Sequence, residues 1–276
     1  MRKKSMRFIS AALAACMMAS TLPVGAFALE GDTAPESGVS TQAEETVAET
    51  VTTIPTTGMN ITKGGDYEIP AGPYTGKIRI DTTQPVNIAI KGNVTFRDSD
   101  PFIDVANAGI VNIVSEADYE VDCATYGKHF IMVASPSAQV TIEKGKYTSK
   151  GLNIGMVSAG TLTVNDAEME SNAYCLTASG SGRVIINGGK YTHYDQNANR
   201  AVFWIFSGGG MTLNDVTAIS AEPVIINSTG TVDVNGGDFQ TTGTKSCFVN
   251  SSANLTINNS TTAATDSTFE SQGASC

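Results

Sequence analysis

The sequence predicts an all-β fold, a single right-handed parallel β-helix of about 22 residues per coil, and three observations carry the prediction. A short motif of apolar, any, apolar, then usually Asn recurs as Val140-Thr141-Ile142-Glu143, Leu162-Thr163-Val164-Asn165, Val184-Ile185-Ile186-Asn187, Met211-Thr212-Leu213-Asn214, Val232-Asp233-Val234-Asn235 and Leu255-Thr256-Ile257-Asn258. Successive copies start 22, 22, 27, 21 and 23 residues apart, and two looser copies, Val86-Asn87-Ile88 and Val111-Asn112-Ile113, precede them. Beyond the first 28 residues the chain alternates in the manner of strands and shows no helical period.

Residues 1–28 read as a secretory leader. Arg2, Lys3, Lys4 and Arg7 form a basic start, Phe8 to Ala28 is uncharged and largely apolar, and Ala26-Phe27-Ala28 offers a small-x-small cleavage site. Leu13-Ala14-Ala15-Cys16 also fits a lipoprotein box, although the apolar run continues well past Cys16. Residues 29–57 are rich in Thr, Glu, Ala, Ser and Pro, a composition that cannot bury enough surface to offset chain entropy, so they read as a disordered acidic linker before a β-helix domain at 58–276.

Without the leader, 13 basic residues face 27 acidic ones, a formal charge of −14. Nucleic acid and anionic lipid are poor partners for such a surface. No apolar run after the leader approaches the ~20 residues that a membrane span requires. The expected location is therefore secreted, at or near a cell surface.

Within each copy of the motif, the first and third residues point inward because side chains alternate along a strand. Asn at the fourth place suits a tight left-handed turn, and stacked copies can bond in a ladder along the axis. A second inward column follows: Tyr147, Met169, Tyr191, Ala218 and Phe239. For the third strand, two columns are read as inward, Ile103, Ile131, Ile154, Cys175, Phe203, Val224, Cys247 and Val105, Val133, Met156, Thr177, Ile205, Ile226, Val249.

The column between them then faces out: Asp104, Met132, Gly155, Leu176, Trp204, Ile225, Phe248. Its later members form an apolar stripe of Leu176, Trp204, Ile225 and Phe248 flanked by Tyr174, Val202 and Phe206. Such a stripe is either covered by another part of the protein or is a docking surface for a glycan or a cell-surface protein.

Of the cysteines that follow the leader, Cys123, Cys175 and Cys247 are expected as buried thiols. Their coils are two and three rungs apart, roughly 10 and 14 Å, beyond the ~7 Å that a disulfide spans. Cys276 could still reach Cys247. Two longer coils loop out at Glu116 to His129 and at Thr192 to Arg200. The second loop contributes His193, Tyr194, Asp195 and Arg200 as binding candidates, with both histidines read first as solvated loop residues. Asp98, Asp100 and Asp104 could hold Ca²⁺ through oxygen ligands, against a plain reading as an acidic solvated turn. No other cofactor is expected.

The coil pattern over residues 80–276 resembles the pectate-lyase-like right-handed β-helix superfamily. Gly64-Gly65-Asp66-Tyr67-Glu68-Ile69, Gly76-Lys77-Ile78-Arg79-Ile80-Asp81, Val86 to Gly92 and Pro101-Phe102-Ile103-Asp104-Val105 resemble the first coils of clostridial secreted β-helix proteins described as carbohydrate-binding. That resemblance implies a surface binding module or adhesin. A polysaccharide lyase or hydrolase and a structural stalk are the alternatives. The outward positions of the motif strand, Thr141, Thr163, Ile185, Thr212, Asp233 and Thr256, hold one carboxylate among threonines, which is not the paired-carboxylate set of a hydrolase. Arg183, Arg200 and Asp233 are the residues a catalytic reading would have to use.

Overall fold

In the computed structural model, residues 50–276 are described apart from 99, 118, 124–128, 151–152, 197–199, 252, 265–267 and 272–276. The predicted leader, the predicted linker up to residue 49 and Cys276 lie outside the described residues. The described chain contains strands and turns and no helix, and every pairing between strands is parallel. It is a parallel β-solenoid of about nine turns with roughly 23 residues per coil.

Each full coil lays down three strands, one per face. The first face is a ten-stranded parallel sheet running from Met59–Ile61 through Ile103–Ala108, Leu176–Ala178 and Phe203–Ile205 to Phe269–Ser271. The motif strands form the second face, where Val140, Leu162, Val184, Met211, Val232 and Leu255 pair in register, as do Ile142, Val164, Ile186, Leu213, Val234 and Ile257. The third face carries Tyr147, Met169, Tyr191, Ala218 and Phe239 in one buried column. In two coils the second and third faces are one bent strand each, Gly210–Ser220 and Thr231–Thr241.

The asparagine ladder runs as the sequence predicts. Asn187 Nδ2 donates to Asn165 Oδ1 at 2.8 Å, Asn214 to Asn187 at 2.8 Å, Asn235 to Asn214 at 3.1 Å and Asn258 to Asn235 at 3.1 Å. Asn165 extends it by donating to Glu143 Oε1 at 2.7 Å. A second, shorter ladder lies in the outward column of the same face, from Asn112 to Asn87 and from Asn87 to Asp66. The residue after each main-ladder rung takes a positive φ: Lys144, Asp166, Gly188, Asp215, Gly236 and Asn259, all between 52° and 79°. The polar rung and the left-handed turn are thus one repeated device at the corner between the second and third faces.

The structured part starts earlier than the sequence suggests. Thr52–Thr53 pairs with Tyr67 and Glu68, and the side chain of Ile54 is fully buried. The predicted linker boundary at 57 is therefore moved back to at least Thr52. One buried apolar residue in a Thr-rich stretch carries too little compositional signal to reveal this.

Candidate functional site

The register of the first face corrects the predicted stripe. Pairing runs Asp104–Met132–Met156–Thr177–Trp204–Ile226–Val249–Glu270 along the outward column. Gly155, Leu176, Phe203, Ile225 and Phe248 form the inward column, and Leu176, Ile225 and Phe248 are fully buried. Val202 is buried too. Of the seven predicted stripe residues, Leu176, Val202, Ile225 and Phe248 belong to the core, while Tyr174, Trp204 and Phe206 are half-buried at the surface.

The slip has a physical cause. At the corner before this face two consecutive side chains turn inward: Phe102 and Ile103, Phe130 and Ile131, Cys175 and Leu176, Val202 and Phe203, Val224 and Ile225, Cys247 and Phe248 are all buried. Strict alternation holds along a strand but not through a corner, so counting by twos from Ile154, Cys175, Val224 or Cys247 reverses the faces. Where the count starts on Ile103, Ile131 or Phe203 it is right.

What remains outward is an aromatic stack. Trp204 stacks on Tyr174 with ring centroids 5.0 Å apart and on Phe206 at 4.2 Å, each pair inclined by 23°. The indole Nε1 donates to Ser228 Oγ at 3.3 Å, which fixes the ring from the following coil. Ile226 lies beside Trp204 on that coil and is half-buried. Further back in the same outward column, Met132 and Met156 are half-buried as well. Thr177, between Met156 and Trp204, is covered, and its hydroxyl accepts a bond from Asn153 Nδ2 at 3.0 Å. Sequence reasoning placed Met132 outward but outside the stripe, and it missed Met156, Ile226 and the Ser228 tether because it assigned those positions to other columns or to none.

Charged groups border the stack on the Tyr174 side. Burial pushes the Tyr174 phenol above its usual value, and the nearby Arg200 cation partly offsets that rise. Arg200 Nε stands 3.8 Å from Asp195 Oδ2. Tyr194 is the most exposed of the loop candidates at 54%. His193 is not a loop residue: it is the last residue of Lys190–His193, points inward at 1% exposure and contacts Ser220 Oγ through Nδ1 at 3.1 Å. Burial pushes its imidazole down to about 4. It is a neutral core residue, paired in register with Ser220 and following Ser149 and Ser171 in the same inward column.

The other candidates disperse. His129, also read as a solvated loop residue, is buried and holds Asp100, with Nδ1 at 2.8 Å and the backbone amide at 3.0 Å from one carboxylate oxygen. Asp104 is ion-paired with Arg79 at 3.1 Å and Lys77 at 3.6 Å, and Asp98 is exposed. Asp100 and Asp104 are thus held by different partners, His129 for the first and Arg79 with Lys77 for the second. Among the described residues, no group of three or more His, Cys, Asp or Glu side chains could hold a metal ion. Cys123, Cys175 and Cys247 are buried, and burial raises the thiol pKa of Cys175 and Cys247, which keeps them protonated and unreactive.

The class of protein that these features define is a parallel β-solenoid with a tethered aromatic stack on one face. No family model, curated protein or solved structure matches the chain. Among the described residues no helix is long and apolar enough to cross a membrane.

Proposed function

We propose that this chain is a secreted, non-catalytic binding module of the right-handed β-helix kind, a carbohydrate-binding or adhesin-like surface protein. The observation that carries the reading is the Tyr174–Trp204–Phe206 stack, half-exposed and held in place by Ser228. Aromatic rings offer apolar faces and edges to the C–H groups of a sugar at little entropic cost when they are already fixed. Arg200 beside Tyr174, with its ion-pair partner Asp195, supplies polar partners for hydroxyl groups. The leader-like residues 1–28 and the likeness of Gly64 to Val105 to clostridial secreted carbohydrate-binding β-helices support the same reading.

The test is a glycan array on the whole chain, with and without calcium, followed by titration of the best glycan into Trp204→Ala. Loss of the ring should weaken binding about tenfold or more, since one stacked ring with its buried area carries at least 1.4 kcal/mol. Undiminished affinity would remove the stack from the site. A second reading, assembly through the same face, rests on the half-buried Met132, Met156 and Ile226 around it. Light scattering on the same variant separates the two: an oligomer that dissociates marks assembly, and an unchanged monomer that loses the glycan marks recognition.

A further inference from the structure

The chain contains two Asn-Gly pairs, Asn187-Gly188 and Asn235-Gly236, and both asparagines are rungs of the main ladder. Asn followed by Gly is the dipeptide most open to intramolecular attack, because glycine leaves the following amide nitrogen unshielded. We infer that Asn235 is a site of spontaneous deamidation and that the ladder protects Asn187 from the same reaction. The backbone nitrogen of Gly236 attacks Cγ of Asn235, the Cγ–Nδ2 bond breaks, and ammonia leaves with the amide proton. The cyclic imide then takes up one water and opens to aspartate or isoaspartate.

For either asparagine to react, its side chain must leave the ladder. Asn187 is gripped on both sides, at 2.8 Å to Asn165 and 2.8 Å from Asn214, and the attacking nitrogen of Gly188 is itself engaged by Asn214 O at 2.8 Å. The coils on both sides of it have buried inward residues, Leu162 and Val164 before and Met211 and Leu213 after. Asn235 makes longer bonds, 3.1 Å to Asn214 and 3.1 Å from Asn258. Its outer partner lies on Asn254–Asn258, where Ile257 is 40% exposed although every earlier apolar residue of its inward column is buried. A strand with so little apolar burial opens locally far more often than one inside the stack, and each opening releases Asn235.

The product cannot rejoin the ladder. Aspartate at this rung lacks the Nδ2 donor and turns a carboxylate oxygen toward Asn214 Oδ1. The Asp215 carboxylate already lies over Gly236, where a Cβ would sit 2.2 Å from its Oδ1, so a second negative charge would arrive beside it. Isoaspartate also adds a backbone atom to the long strand Thr231–Thr241 and shifts its register. The modification would therefore loosen the coils that follow it.

Peptide mapping by mass spectrometry on the full chain, incubated at mildly alkaline pH with and without concentrated urea, tests this. Native protein should convert Asn235 about tenfold or more faster than Asn187, and urea should bring the two rates together. Asn258→Ala, which removes the outer partner, should accelerate Asn235 and leave Asn187 unchanged. Equal native rates, a faster Asn187, or no response to Asn258→Ala in a folded protein would overturn the inference. The comparison within the unmodified chain stands even where the variant fails to fold.

Discussion

Phe203→Ala should lower the free energy of unfolding by about 3–5 kcal/mol, the range for an aromatic ring deleted from a well-packed core. Phe203 is fully buried on the inward column between Leu176 and Ile225, and its ring packs against Tyr191 at 5.3 Å with a tilt of 54°. Two faces of the solenoid meet through that contact, since Tyr191 belongs to the third face and Phe203 to the first. Each coil touches mainly its neighbours, so the cavity has little scope to collapse without shifting both adjoining coils. Urea denaturation followed by circular dichroism measures the loss. Trp204→Ala, one residue along on the outward side, provides the contrast and should cost far less stability because its ring is half-exposed. A loss for Phe203→Ala below about 1 kcal/mol would mean that the ring is not where this register puts it.

Gly189→Ala should cost about 3 kcal/mol or more, from two causes acting together. Gly189 has φ of 88°, and a Cβ there would stand 2.3 Å from the carbonyl oxygen of Ala167 in the preceding coil. Backbone cannot move aside as a side chain can, so the coils would have to separate. Gly208→Ala separates the two causes, because Gly208 has nearly the same φ, 86°, but its nearest neighbour would be 3.7 Å away. That variant should show strain alone, about 1 kcal/mol. Equal midpoints for the two variants in urea would show that the close approach of coils at Gly189 is not a constraint.

The second and third faces were legible because two independent signals coincide there. Alternation places Val184 and Ile186 inside, and Asn187 followed by Gly188 marks the turn that ends the strand. The first face offered alternation alone. At its corners a chain such as Val224-Ile225-Ile226 gives three apolar residues in a row, and nothing local says which of them leaves the core. The structure turns Val224 and Ile225 in and Ile226 out. Among the later coils, the one that reads correctly holds Trp204, whose size and polar Nε1 suit a partly solvated position. The aromatic site was thus legible at its centre and not at its margins.

His193 shows a different limit. Its neighbours Tyr194, Asp195 and Arg200 are polar or exposed, so composition marks the whole segment as a loop. Its position two residues after the inward Tyr191 predicts the core instead, and period wins over composition because the strand continues through it. Cys175 and Cys247, by contrast, were read as unbridged thiols from coil spacing alone. That inference needs only the rise per coil and was insensitive to which of two neighbouring residues leads the strand.

Stacking of equivalent positions along one axis is the claim from which the site, the ladder and the deamidation argument all descend. Electron spin distance measurements between labels on the outward motif column test it most directly. With one label at Thr141, a second at Thr212 is three coils away and one at Thr256 is five, so the backbone separations should be roughly 14 and 24 Å, growing by about 4.8 Å per coil. Separations that fail to grow with coil number, or that place Thr256 nearer to Thr141 than Thr212 is, would contradict the account.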